Sequence, residues 1–228
     1  MRFPNRTSAL RLVTSALVVV ALLVATPATG ANPEAQPVFR QNPILFVHGI
    51  EGSGAQFESQ AMRFMSNGYP RRWIDEVDYN STRAVGDKSE VDQQIDDAIA
   101  TLKRRTGRPK VDVVAHSLGT SVMYDYLTNG AMAAQRRATV AHYINVDGQN
   151  QNPGVPTLAV WAGRGTPGRH MEGAQNITIR NQTHVQTCSS AESFLAYYRF
   201  LTGQRPARDI LRQSGAKQVA GLCPVRNL

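Results

Sequence analysis

The 228-residue chain predicts an α/β sandwich: a mainly parallel sheet flanked by helices. Three observations predict it. Short apolar and β-branched runs alternate with segments of helical periodicity, as strands joined by crossover helices do. Two of those runs, Pro43-Ile44-Leu45-Phe46-Val47, apolar throughout, and Thr157-Leu158-Ala159-Val160-Trp161, apolar after its first residue, have the pattern of strands buried on both faces. The stretch Val111-Asp112-Val113-Val114-Ala115-His116-Ser117-Leu118-Gly119-Thr120 then reads as a strand, a very tight turn and a helix, with Ser117 on the tip.

Residues 1–31 stand outside this fold. Arg2, Arg6 and Arg11 precede an apolar run from Leu12 to Val24, and the small residues Ala28, Thr29, Gly30 and Ala31 follow. Positive, apolar and small-residue regions in that order make a cleavable secretory signal peptide, and the apolar run is short for a bilayer span. Export is therefore expected. Residues 32–228 are left as one domain, with a C-terminal tail from about 204 to 228, long enough for a sizeable core.

The elements follow in order. Pro33 and Pro37 mark an extended lead-in to the first strand. That strand runs into His48-Gly49-Ile50-Glu51-Gly52-Ser53-Gly54, where glycines let the backbone approach a ligand closely. Residues 56–65 look helical and stop at Asn67-Gly68; residues 73–79 are a second strand. Val91, Ile95, Ala98, Ile99 and Leu102 recur at helical spacing. Asp87 and Glu90 lie near that helix's start, and Lys103-Arg104-Arg105 before Gly107 suits its end. After the Ser117 turn, a helix runs to about Leu127. Strands at residues 140–146, 157–161 and 176–179 and a closing helix through Phe194, Leu195, Tyr198 and Leu201 complete the pattern.

Composition narrows the partners. There are 25 basic and 17 acidic residues, and the leader holds three of the basic ones. The remaining excess is moderate and spread along the chain, which argues for a solvated surface rather than nucleic acid, with at most a weak attraction to anionic interfaces. No His, Cys or Asp cluster has metal-ligand spacing, so no structural metal is expected. Cys188 and Cys223 are the two cysteines. An even count in an exported chain favours a disulfide, closing a loop of about 36 residues and worth roughly 3–4 kcal/mol in the loop-entropy model. A monomer is expected.

The chemistry centres on Ser117. A nucleophile elbow needs small residues two before and two after the serine; here they are Ala115 and Gly119, Ala115 being the smallest departure from the usual glycine. The helix after the turn aims its first N–H groups at the reacting centre. Ser117 needs a base downstream, and His142, His170 and His184 are the candidates. His142 falls inside a strand, where packing against a helix accounts for it. His170 lies in a loop several residues before the last strand. His184 follows the last strand and fits best. The acid that holds the imidazole is open between Asp147, at the end of the strand after the elbow helix, and Glu172, the first carboxylate after the next strand. The amides of Ile50 and Leu118 are the expected oxyanion donors.

Taken together, Ile44-Leu45-Phe46-Val47-His48-Gly49-Ile50, the Ala115-His116-Ser117-Leu118-Gly119 elbow and His184 resemble the class 2 lipase family of small secreted bacterial lipases. The resemblance spans roughly residues 43–203. It implies an α/β-hydrolase fold with minimal or no lid, cofactor-free cleavage of carboxylic esters such as triacylglycerols, and lipid or ester substrates met at transient lipid interfaces. It carries over Ser117 as nucleophile, His184 as base, and Ile50 and Leu118 as oxyanion donors. The acid departs from the family's pattern, because its usual position lacks a carboxylate, and Glu51 is unusual in the oxyanion loop; its side chain is expected to point to solvent. The same machinery serves short-chain esterases, polyester depolymerases and acyltransferases. The irregular acid also leaves room for a non-catalytic, hydrolase-like secreted binding protein.

Overall fold

The computed structural model describes residues 40–210; the proposed leader at 1–31 and Cys223 lie outside them. The described residues belong to one compact unit. Six strands, β1 (Ile44–Val47), β2 (Ile74–Val77), β3 (Val111–His116), β4 (Val140–Val146), β5 (Thr157–Ala162) and β6 (Gln175–Ile179), form one sheet in the order β2-β1-β3-β4-β5-β6. Every neighbouring pair is parallel.

Helices cover both faces. On one side lie α2 (Ser89–Thr106) and α3 (Leu118–Thr128), against Leu45, Val47, Val113 and Ala115. On the other lie α1 (Glu58–Ser66) and α6 (Ala191–Thr202), against Ile44, Phe46, Val114 and Val160. Adjacent strand residues thus alternate between two apolar layers, which is why β1, and β5 after Thr157, read as unbroken apolar runs. The α2 stripe of Val91, Ile95, Ile99 and Leu102 is buried, and Gly107 closes the helix in the left-handed conformation, which costs a glycine little. At the edge, β6 is partly exposed and carries polar side chains, as an unpaired edge must.

Five short pieces go beyond the sequence expectation: α4 (Ala133–Thr139), α5 (Gln186–Ser189) and 3-10 turns at Gly54–Phe57, Arg71–Trp73 and Arg83–Val85. None is long enough to show periodicity. In α4 only Ala133 is buried, so polar contacts hold it. Arg136 bonds Asp92 and Asp96 of α2, both at 2.8 Å, with its guanidinium over the Tyr126 ring.

Cys188 is a buried thiol in α5, and its expected bond to Cys223 lies outside the described residues. The start of the tail is tied back to the end of α1, where Asn67 Oδ1 accepts from the Ala207 and Arg208 amides. Among the described residues, no helix is long and apolar enough to cross a membrane. No group of His, Cys, Asp or Glu could hold a metal ion there either.

The topology fixes where a ligand can sit. Between β1 and β3 the chain order reverses, and in open parallel sheets ligands bind at the carboxyl ends of strands beside such a switch point. Val47 pairs with Ala115 in register, so the His48-Gly49-Ile50 loop and Ser117 emerge side by side.

Candidate active site

Ser117 sits between β3 and α3 at φ 52°, ψ −122°. This conformation is rare for a residue with a Cβ and persists only where its surroundings enforce it. Its amide donates to the Val146 carbonyl at the end of β4, 3.1 Å away. Gly119 explains the small residue two positions on: an added Cβ there would lie 2.6 Å from the Val47 carbonyl oxygen. A Cβ on Gly49 would lie 2.9 Å from Ser117 Cβ, so the first loop and the elbow touch.

Asp147 repeats the arrangement one strand over. It follows β4 directly, with φ 46°, and its amide donates to the Val160 carbonyl of β5 at 2.7 Å. The carboxylate is nearly fully buried. Its Oδ2 accepts from His184 Nδ1 at 2.7 Å; its Oδ1 accepts from the Ala162 amide at 3.0 Å and from Arg169 at 3.1 Å. Burial pushes this carboxyl up, but the bonds from His184 and Ala162 and the Arg169 charge outweigh it and hold it below its ordinary value. Because His184 donates through Nδ1–H, the lone pair of the neutral imidazole lies on Nε2.

Three non-glycine residues among those described have positive φ: Glu51, Ser117 and Asp147. All three lie at carboxyl ends of strands, where backbone strain marks a functional site. Glu51 is exposed, as expected.

The loop after β1 has a distinctive hydrogen-bond pattern. The amide of Gly49 donates to Gln56 Oε1, that of Glu51 to Ser81 Oγ and that of Gly52 to the Gly49 carbonyl. Among the described residues, the Ile50 amide takes no partner, nor does the Leu118 amide at the first turn of α3. His48 pins this loop to the end of β2. Its Nδ1–H donates to the Gly49 carbonyl at 2.7 Å, its Nε2 accepts from the Tyr79 amide at 3.3 Å, and the Tyr79 hydroxyl donates to the His48 carbonyl at 2.8 Å.

The remaining candidates fall elsewhere. Glu172 is fully exposed and lies 3.8 Å from His170, itself largely exposed. His142 donates to buried Asp112 at 2.8 Å and meets the edge of Phe200 in α6, the helix packing its strand position suggests. Sequence reasoning missed four supporting side chains. Arg169 reaches Asp147 from the β5–β6 loop while lying over Trp161. Thr120 donates to the Ser117 carbonyl and accepts from the Gln149 amide, both at 2.7 Å. Gln56 and His116 join the first loop to the His184 loop. The Asp147–Arg169, Thr120–Gln149, Gln56–His116 and His116–His184 bonds span 22, 29, 60 and 68 residues of sequence, and no local pattern signals them.

The sheet, its flanking helices and the strand-end site define an α/β-hydrolase. The folds of solved structures agree. A gene product of Listeria innocua is 13% identical over 74% of this chain and 97% of its own, with a TM-score of 0.56. Lipase B of Aspergillus fumigatus is 11% identical over 74% of this chain and 54% of its own, at 0.55. A thermophilic esterase of Thermogutta terrifontis is 11% identical over 71% and 90%, at 0.50. At such identities the likeness speaks for the fold. The family comes from the sequence, where residues 41–155 match the model of the class 2 lipases. The chain belongs to the class 2 lipase family and is a hydrolase of the lipase and esterase type.

Proposed function

We propose that the protein is a secreted serine hydrolase that cleaves carboxylic esters through an acyl-enzyme on Ser117. The observation that carries this reading is the bond between His184 Nδ1 and the buried Asp147, beside a serine held in an elbow. The carboxylate fixes the imidazole tautomer and stabilises the imidazolium that forms when Nε2 takes the Ser117 proton. Ser117 Oγ attacks the ester carbonyl, and the unpartnered amides of Ile50 and Leu118 donate to the oxyanion. His184 then protonates the leaving alcohol; afterwards it activates a water that releases the acid.

Asp147 takes the acid role in preference to Glu172, which stands in solvent. The non-catalytic reading rested on an irregular acid, and the engaged Asp147 leaves it without that support. Triacylglycerols and simpler esters are the substrate class. Ile50, Val85 and Val185 are exposed on loops at the carboxyl ends of β1, β2 and β6, and suit brief contact with a lipid interface. The leader at 1–31 supports export and should be absent from protein recovered outside the producing cell.

The test is hydrolysis of p-nitrophenyl butyrate and palmitate by wild type and Ser117→Ala. Serine-dependent turnover of palmitate supports a lipase, turnover of butyrate alone an esterase. Turnover that survives in Ser117→Ala would remove the assignment.

A further inference from the structure

The proposed base hangs from the loop after β6, and its main chain is gripped from an unexpected side. His116, immediately before Ser117, is 2% exposed and is hydrogen-bonded through both ring nitrogens. Its Nε2 lies 3.0 Å from the His184 carbonyl oxygen, and its Nδ1 lies 2.7 Å from Gln56 Nε2. The partners dictate the direction of each bond. A carbonyl only accepts, so His116 Nε2 carries the proton and Nδ1 the lone pair. The Gln56 amide therefore donates to Nδ1, turning its Oε1 toward the Gly49 amide, which donates to it at 3.3 Å. Gly49, Gln56, His116 and His184 form one line in which each donates to the next.

We propose that Gln56 and His116 are positioning residues for acyl transfer, a one-way hydrogen-bond line that ties the oxyanion loop to the main chain of the base. The proposal rests on the reading of Ser117, His184 and Asp147 given above. The line connects the two halves of the site that must hold a tetrahedral intermediate between them. A shift of either half by an ångström is costly in such geometry. It works only while His116 is neutral, because a proton on Nδ1 would face the Gln56 amide donor. The groups around His116 suit that state. Gln56 comes from the 3-10 turn and Gly49 from the loop after β1, neither charged. The His184 ring, from the β6–α5 loop, lies tilted by 38° against it with centroids 4.4 Å apart, and Asp147 is the anion beyond it. Burial, reinforced by His184, pulls the His116 imidazole down to about 4.

The test is Gln56→Glu. Gln56 is only half-buried, and the replacement keeps its length and the acceptor for Gly49 but exchanges the donor for an acceptor. His116 must then offer Nδ1–H. It does so either as the other tautomer, with a lone pair against the His184 carbonyl, or as a cation beside the His184 ring. In 15N-histidine spectra at pH 7, His116 should be protonated on Nε2 alone in wild type and on Nδ1 in Gln56→Glu. The rate at which a fluorophosphonate labels Ser117 should fall at least tenfold, as should kcat on p-nitrophenyl butyrate, with KM changed less than about twofold. Gln56→Leu, which removes donor and acceptor without adding charge, should slow labelling in the same direction and guards against a misfolded glutamate variant. Wild-type His116 protonated on Nδ1, or wild-type labelling rates in both variants, would overturn the proposal. Ser117→Ala, run alongside, separates the failures. If it stays active, the reading of the site fails and takes this proposal with it; if it is inert while both Gln56 variants match wild type, the positioning line alone fails.

Discussion

At the residue scale, the site is a set of carbonyls, amides and hydroxyls spent on holding three side chains. Asp147 has both carboxylate oxygens engaged, so Asp147→Asn keeps the shape but loses the charge that orients His184. It should cut kcat by about 10³–10⁴. Glu172→Gln should leave activity unchanged, since Glu172 meets only His170 at the surface; the reverse ranking in an ester hydrolysis assay would transfer the role. Thr120 shows how the supporting residues act. Its hydroxyl joins the elbow to the turn after Asp147, and Gly148 has no Cβ because one would collide with it. Thr120→Val keeps the shape but leaves the Gln149 amide unsatisfied. It should lower unfolding free energy by about 1–3 kcal/mol, measured by urea denaturation. Sequence pattern pointed to Ser117 and His184 because each follows a strand end, and left the acid open between Asp147 and Glu172 for the same reason. Thr120 and Arg169 escaped because their bonds span 29 and 22 residues of sequence, beyond any local motif.

At the element scale, what reads well from sequence is whatever repeats. The α2 stripe imposes a helical spacing, the short β1 and β5 runs bounded by turn residues read as buried strands, and the small-x-Ser-x-Gly turn fixes small residues at two positions. The elbow's spacing has a steric cause that can be tested. Gly119→Ala drives a methyl into the Val47 and His48 carbonyls, and backbone cannot rotate away as a side chain does. The variant should lose about 2–3 kcal/mol of stability and most of its activity, and a wild-type melting curve would contradict the close packing. By contrast, α4 and α5 are held by tertiary contacts that spacing does not encode. Arg136 grips α2 with a side chain that is 13% exposed. Arg136→Ala should lower the melting temperature by several degrees, through lost packing over Tyr126 as much as lost charge.

At the scale of the molecule, the buried histidines set how stability responds to acid. His116 stays neutral in the fold down to about pH 4, whereas in the unfolded chain it takes a proton near pH 6.5. Between those values the unfolded state binds more protons, so stability from this group is lost as pH falls from about 6.5 to 4, by as much as roughly 3 kcal/mol. Burial lowers His48 too, with the same sign. His142 runs the other way: its bond to Asp112 raises it, so its contribution is present at low pH and is lost as pH rises through its folded value. The melting temperature of His116→Asn should therefore fall less steeply than wild type between pH 6.5 and 4, and parallel curves would contradict the buried neutral imidazole. The sheet's strand succession was legible in the sequence. The sideways hydrogen bonds that turn its strand ends into a site were not, since they join residues only the folded sheet brings together.

The central claim is that Ser117 is the activated nucleophile, and the most direct measurement is the site of covalent labelling. Wild-type protein treated with a fluorophosphonate, digested and analysed by mass spectrometry should carry one adduct, on the peptide containing Ser117. Labelling should disappear in Ser117→Ala and slow sharply in Asp147→Asn. An adduct on any other residue, or undiminished labelling of Ser117→Ala, would contradict the account.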